Sequence, residues 1–210
     1  IKEQGESWRE FQSQAVTAIT GKAAETFRIE EDSKYDTFKD DQLGKDALAA
    51  IRSIQNGAKF VNIQYGGWDM HTGIVNALNT RQVTLDRYIG LLMDELEVRG
   101  LFEKTLLVVA TEFGRTPKIN GNAGRDHWSG SVPLMFAGGG YDLGRVIGTS
   151  NANAEVPEDG ECGPLDLRWT VLNHMGIHRN NTWMGIQGRP MPVTTNEEKN
   201  ILTDINVGVG

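Results

Sequence analysis

The chain has 210 residues, is 39% hydrophobic and 23% charged, and carries a formal net charge of -7. That length suits one domain with a substantial core, and an acidic balance spread along the chain argues against nucleic acid or an anionic membrane as a partner. No apolar window approaches the roughly 20 residues of a transmembrane helix, no signal peptide is visible at the N-terminus, and the single cysteine, Cys162, excludes an internal disulfide and any multi-cysteine metal site.

Trp8, Phe11, Ala15, Ile19, Ala23 and Phe27 recur at intervals of three and four and predict an amphipathic helix over residues 8–27. The charged stretch RIEEDSKYDTFKDDQ that follows has no periodic apolar face and reads as a surface connection. Leu43, Ala47, Leu48, Ile51 and Ile54 predict a second helix that stops at Gly57. Residues 58–65, AKFVNIQY, read as a strand ended by Gly66 and Gly67. A long helix follows over 72–99, with Ile74, Leu78, Leu85, Ile89, Leu92 and Leu96 inward and Gly100 at its end. Residues 105–111 and 132–137 are two further apolar runs, the second closed by three glycines.

A helix between two buried strands is the pattern of a right-handed βαβ crossover. The expected fold is therefore α/β, with a mixed, mainly parallel sheet flanked by helices and its ligands at the strand C-termini. Residues 141–163 read as irregular chain with one short strand near Val146, and 164–175 as a helix that opens on a proline and stops at Gly176. The polar, Asn-rich tail from His178 is expected to wrap the surface. The organisation is one domain, with a helical lead-in over 1–57, a core over 58–177 and a tail over 178–210.

The chemistry concentrates at the strand ends. Asp69 and His71, in GGWDMHTG, can share one divalent cation, since Zn and Mn accept mixed oxygen and nitrogen ligands; the competing reading makes Asp69 a helix cap and His71 an exposed first-turn residue. Asp126 and His127, in GRDHW, form a second such pair, or else a hydrogen-bonded turn. Arg115 and Arg125 are placed to hold an anionic substrate. Glu112, directly after the buried strand, needs a cation or Arg115 to offset its desolvation. His127 precedes its strand, so it can join the same site only if 132–137 runs antiparallel or the loop crosses the sheet edge. His174 reads as a packed core histidine and His178 as a surface residue. Thr111 and Ser129 flank the cluster without an obvious base, so no nucleophile stands out.

The succession GGWDMH, long helix, TLLVVATEFGR, GRDHW, SVPLMFAGGG and PLDLRWTVLNHMGI resembles the C-terminal half of an uncharacterised, sulfatase-like family of secreted bacterial proteins within the alkaline phosphatase superfamily. The resemblance covers about residues 44–192. It implies an incomplete alkaline-phosphatase-like fold and a chain that is the C-terminal part of a larger domain. It implies a metal site of Asp69, His71 and His127, assisted by Asp126, and a depleted second site in which Glu112 remains while Phe113 replaces a histidine ligand. The nucleophile-bearing half is absent from this chain. Cys162-Gly163-Pro164 ends in Leu165-Asp166 rather than in the arginine of a formylglycine motif, so a formylglycine sulfatase is not supported.

The implied activity is metal-dependent hydrolysis or transfer of a phosphate or sulfate ester. Zn, or alternatively Mn or Ca, would serve as the ion, with Arg115 or Arg125 on the oxygens of a small anionic substrate. The implied location is extracytoplasmic, and the implied partner is a missing N-terminal half or a second copy. The alternative is a non-catalytic metal-binding or surface interaction protein on the same scaffold.

Overall fold

The Leu43 stripe folds as the spacing predicts. In the computed structural model, which describes residues 22–185, 188–195 and 197–205, the helices in chain order begin with α1 (Lys22–Thr26), α2 (Tyr35–Phe38), α3 (Gln42–Gln55) and α4 (Ile74–Val98). The Asp41 side chain caps α3 by accepting the Leu43 N–H at 2.8 Å, a contact typically worth ~1 kcal/mol. The helix predicted over 8–27 lies outside the described residues up to position 21; its described end is α1.

The chain divides into two compact units. One comprises Ile1–Trp68 and Asn76–Leu101. Its core contains Phe38, Leu48, Ile51 and Leu96, each at most 1% exposed. Gly44 is part of that core because a Cβ there would collide with the Phe38 carbonyl and the Tyr88 ring. The stretch read as a surface connection contributes more than expected. Phe38 is buried, and Asp32, just after a 3-10 turn at Ile29–Glu31, is bonded to Arg52 (3.2 Å) and Arg99 (3.0 Å). A single apolar anchor and one buried carboxylate leave no periodic signal, which is why the pattern hid them.

The expected mainly parallel sheet is not there. The described strands make only two-stranded antiparallel ladders. β1 (Leu106–Val109) pairs with β4 (Met135–Gly138), and between them β2 (Gly114–Arg115) pairs with β3 (His127–Trp128). Parallel strands need a crossover of a dozen or more residues, usually helical. Here the chain leaves β1, turns back through the β2–β3 hairpin and returns beside its own starting strand, so β4 runs antiparallel. That is the condition under which His127 was expected to join the site. The predicted strand at 58–65 is not a strand: it is irregular chain without a ladder, and Phe60 is 67% exposed. β1 itself is half-buried throughout rather than buried on both faces.

These strands belong to the second unit, Asp69–Val75 with Phe102–Gly210. It also holds β5 (Thr149–Ser150) with β6 (Pro157–Asp159), helix α5 (Pro164–His174), and β7 (Thr182–Met184) with β8 (Pro190–Pro192). Gly138, Gly139 and Gly140 all take left-handed backbone, with φ of 71, 72 and 73°, as the glycine run after β4 requires. Asp166 reaches back to the Gly163 N–H at 2.7 Å and closes the start of α5. The tail corrects its expectation. Ile201 and Leu202 are each 3% exposed, and the Ile201 N–H donates to the buried Thr170 hydroxyl of α5 at 2.9 Å. Thus 197–205 supplies core rather than wrapping. No described helix is long and apolar enough to cross a membrane.

Candidate metal centre

The second unit brings Asp69, His71 and His127 to one point. Asp69 and His71 flank Met70, which is buried at 7% exposure, and both turn toward His127 rather than into the core. The backbone here is fastened to the turn between β2 and β3: the Arg125 N–H donates to the Met70 carbonyl (3.0 Å), Gly73 to Asn122 (3.1 Å) and Ile74 to Ala123 (2.9 Å). His127 arrives from the opposite side on β3, paired in register with Arg115.

The ligand atoms then converge. Asp69 Oδ1 lies 2.9 Å from His71 Nε2 and 2.9 Å from His127 Nε2, and the two Nε2 atoms are 3.2 Å apart. Ligands of a tetrahedral Zn at normal bond lengths stand about 3.3 Å from one another, so one such ion fits with a small outward relaxation. Asp126 stands behind the set. Its Oδ1 is 2.9 Å from His71 Nδ1, and an ionised carboxylate only accepts, so the ring proton belongs on Nδ1. In neutral His71 that leaves the Nε2 lone pair facing Asp69 and His127. Electron-rich atoms at these separations require a proton or a cation between them, and a carboxylate on the far nitrogen of a ligating histidine is the usual support of a metal site.

The electrostatics agree with this arrangement. Hydrogen bonds from His127 and from Arg115, whose guanidinium sits 2.7 Å from Oδ1, hold the Asp69 carboxyl at about 2. The bonds from His71 and Asn120 lower that of Asp126. The side chains are open to solvent, from 43% exposed at His71 to 66% at Asp69, which leaves an ion here room for water or substrate.

The remaining candidates lie around this cluster with different roles. Asp126 is bonded to His71 Nδ1 and is not itself within the converging set. Arg115 is engaged with Asp69 and with the Arg125 carbonyl at 3.4 Å. Arg125 contributes its backbone, and its guanidinium has no hydrogen bond or ion pair among the described residues. Glu112 is not brought in. It is exposed and without a polar partner among the described residues, because the turn after β1, closed by Thr111 Oγ on the Phe113 carbonyl at 2.8 Å, points the chain elsewhere. Phe113 instead packs its ring on His127, centroids 4.3 Å apart. His174 is half-buried against Tyr141, centroids 5.8 Å apart, and His178 is exposed.

Two residues that the sequence did not single out complete the site. Asn120 joins the loop to both His71 and Asp126, at 3.1 Å each. Gly124 lies so close to the His71 carbonyl and the Thr72 nitrogen that a Cβ has no space. The only local signal was the turn-forming run Asn120-Gly121-Asn122-Ala123-Gly124.

No curated protein and no solved structure matches the chain. The resemblance to sulfatase-like proteins of the alkaline phosphatase superfamily is not upheld: the family that matches is an uncharacterised one without a link to that superfamily, and the large parallel sheet such a fold implies is missing. The extracytoplasmic location, inferred from the resemblance alone, loses its ground with it. What the comparison does establish is a family match over residues 4–205, nearly the whole chain, and the protein belongs to that family, described as "Protein of unknown function (DUF1501)".

Proposed function

We propose that the chain binds one divalent cation, Zn in first place with Mn or Ca as alternatives, through Asp69 Oδ1, His71 Nε2 and His127 Nε2, and uses it in hydrolysis or transfer of a phosphate or sulfate ester. The convergence of those three atoms, with Asp126 behind His71, carries the reading. Three protein ligands with an open side are the arrangement of catalytic rather than structural metal sites. A bound ion supplies Lewis acidity toward the ester oxygens and toward attacking water.

The residues divide the remaining work. Arg115 keeps Asp69 ionised and fixed in direction. Arg125, whose guanidinium has no partner of its own among the described residues, takes the non-bridging oxygens of a small anionic ester. The three ligand residues themselves, Asp69, His71 and His127, carry no hydroxyl or thiol, and this reading assigns the attack to water. A second reading, metal binding without turnover, is favoured by one observation: among the described residues a single converging set of three forms, with Glu112 outside it and Phe113 against His127, so no second ion site stands beside the first.

Metal analysis of the purified chain, alongside turnover of p-nitrophenyl phosphate and p-nitrophenyl sulfate with Zn or Mn added, separates the two. The expected result is about one bound ion, its loss in His127→Ala, and ester cleavage that falls with it. Bound metal without cleavage selects the second reading. A chain that holds no Zn, Mn or Ca at saturation removes both.

A further inference from the structure

The turn between β2 and β3 is organised by one side chain, Asn120, to which the ester chemistry assigns no role. Its Oδ1 accepts the N–H groups of Asn122 at 3.0 Å and Gly124 at 2.9 Å. Its Nδ2 donates to the His71 carbonyl and to Asp126 Oδ1, both at 3.1 Å. Donors face one end of the amide and acceptors face the other, so oxygen and nitrogen are assigned by the network itself. The oxygen half fastens the loop. The nitrogen half touches only the backbone of one ligand and the carboxylate that orients that ligand's ring.

Asp126 Oδ1 therefore receives two donors, Asn120 Nδ2 and His71 Nδ1. The Asp126 backbone is fixed as well, its N–H donating to Thr116 Oγ at 3.1 Å. A carboxylate that is 54% exposed has free rotamers unless something selects one, and the amide makes that selection.

We infer that Asn120 is a positioning residue for the metal ion: its Nδ2 holds Asp126 Oδ1 against His71 Nδ1, which turns the imidazole so that Nε2 faces Asp69 and His127. The inference rests on the metal reading above. Partners behind a ligating histidine are typically worth about 10–100-fold in metal affinity, and Asn120 acts one bond further out, through Asp126.

The test is titration of the full chain with Co(II), read by its visible absorption, with Zn in competition, for wild type, Asn120→Asp, Asp126→Ala and the double variant. Asn120→Asp keeps both loop acceptors but replaces the donating nitrogen with an oxygen that repels Asp126 and the His71 carbonyl. The expected result is a loss of about 10-fold or more for Asn120→Asp with an altered Co(II) band, a comparable loss for Asp126→Ala, and a double variant no weaker than Asp126→Ala alone, because both changes cut one chain of contacts. Thermal melting of the metal-free proteins shows whether the loop survives, and the coupling in the double variant remains decisive where Asn120→Asp melts early. Wild-type affinity and band shape in Asn120→Asp would overturn the inference, as would losses that simply add. Failure of wild type to bind either ion overturns the metal reading itself, and this one with it.

Discussion

Gly124 has no side chain because the chain carrying His71 occupies the space where one would go. A Cβ there meets backbone rather than a movable side chain, so the loop must lift away from residues 70–74. Gly124→Ala should cost about 1–3 kcal/mol, as overpacking of tight sites does. It should also weaken metal binding, since the same bonds place His71; calorimetric melting and a Zn titration of the variant would show both. An unchanged affinity would mean that His71 is held from elsewhere. At this scale the sequence told part of the site. Asp69 and His71 were legible as a carboxylate and an imidazole two residues apart in GGWDMHTG, and His127 as the histidine of the Asp-His pair in GRDHW. Asn120 and Gly124 were not, because their significance lies in contacts across the chain: His71 is 49 residues away from Asn120 in sequence. Glu112 stands apart from the cluster: the desolvation argument assumed a strand buried on both faces, and the strand is half-buried.

Elements with their own period were legible too. Helices α3, α4 and α5 fall where apolar spacing, the proline that opens α5 and terminal glycines put them. Sheet pairing was not, since a short apolar run is equally compatible with a parallel core strand and with one arm of a doubled-back ladder; the choice lies in the connection, and the connection here is a hairpin. Between helices, the link least visible in the sequence is a buried ionic one. Asp32, with its side chain 6% exposed, is bonded to Arg52 and Arg99, and Arg99 also to Glu95 at 2.9 Å. Burial by itself would raise the Asp32 carboxyl, but Arg99, the Lys34 amide and Arg52 outweigh it and hold it below the usual range. Asp32→Ala would remove the carboxylate shared by two guanidinium groups about 15% exposed, which keep Glu95, Gln55 and backbone carbonyls as partners, at a cost of about 1.5–3 kcal/mol. Urea denaturation should show it, and a shift under about 1 kcal/mol would mean that water already screens the network.

For the whole molecule, acid is the informative variable. Glu198 is 5% exposed; the Thr195 hydroxyl at 2.6 Å leads the contacts that hold its carboxyl at about 2, against 4.5 when free, and Arg168 is also bonded to it at 3.2 Å. A carboxyl lowered on folding contributes stability that is complete above its free value and is lost as pH falls toward the folded one. The stability of wild type relative to Glu198→Gln should therefore shrink between about pH 4.5 and 2, and paired denaturation curves at pH 6 and pH 3 measure it. A constant difference would place the role of Glu198 in packing instead. The tail that carries Glu198 was expected from its polarity to wrap the surface; three of its apolar residues, Ile201, Leu202 and Ile205, are buried. The three residues of the candidate site show the opposite balance. Asp69, His71 and His127 stand 43–66% in solvent and bury little against their neighbours. On the metal reading, chemistry and folding would occupy separable parts of the same unit: Asp69, His71 and His127 could be exchanged or erased while the buried residues beneath keep their packing, so that ion preference would be open to change at little cost to the scaffold.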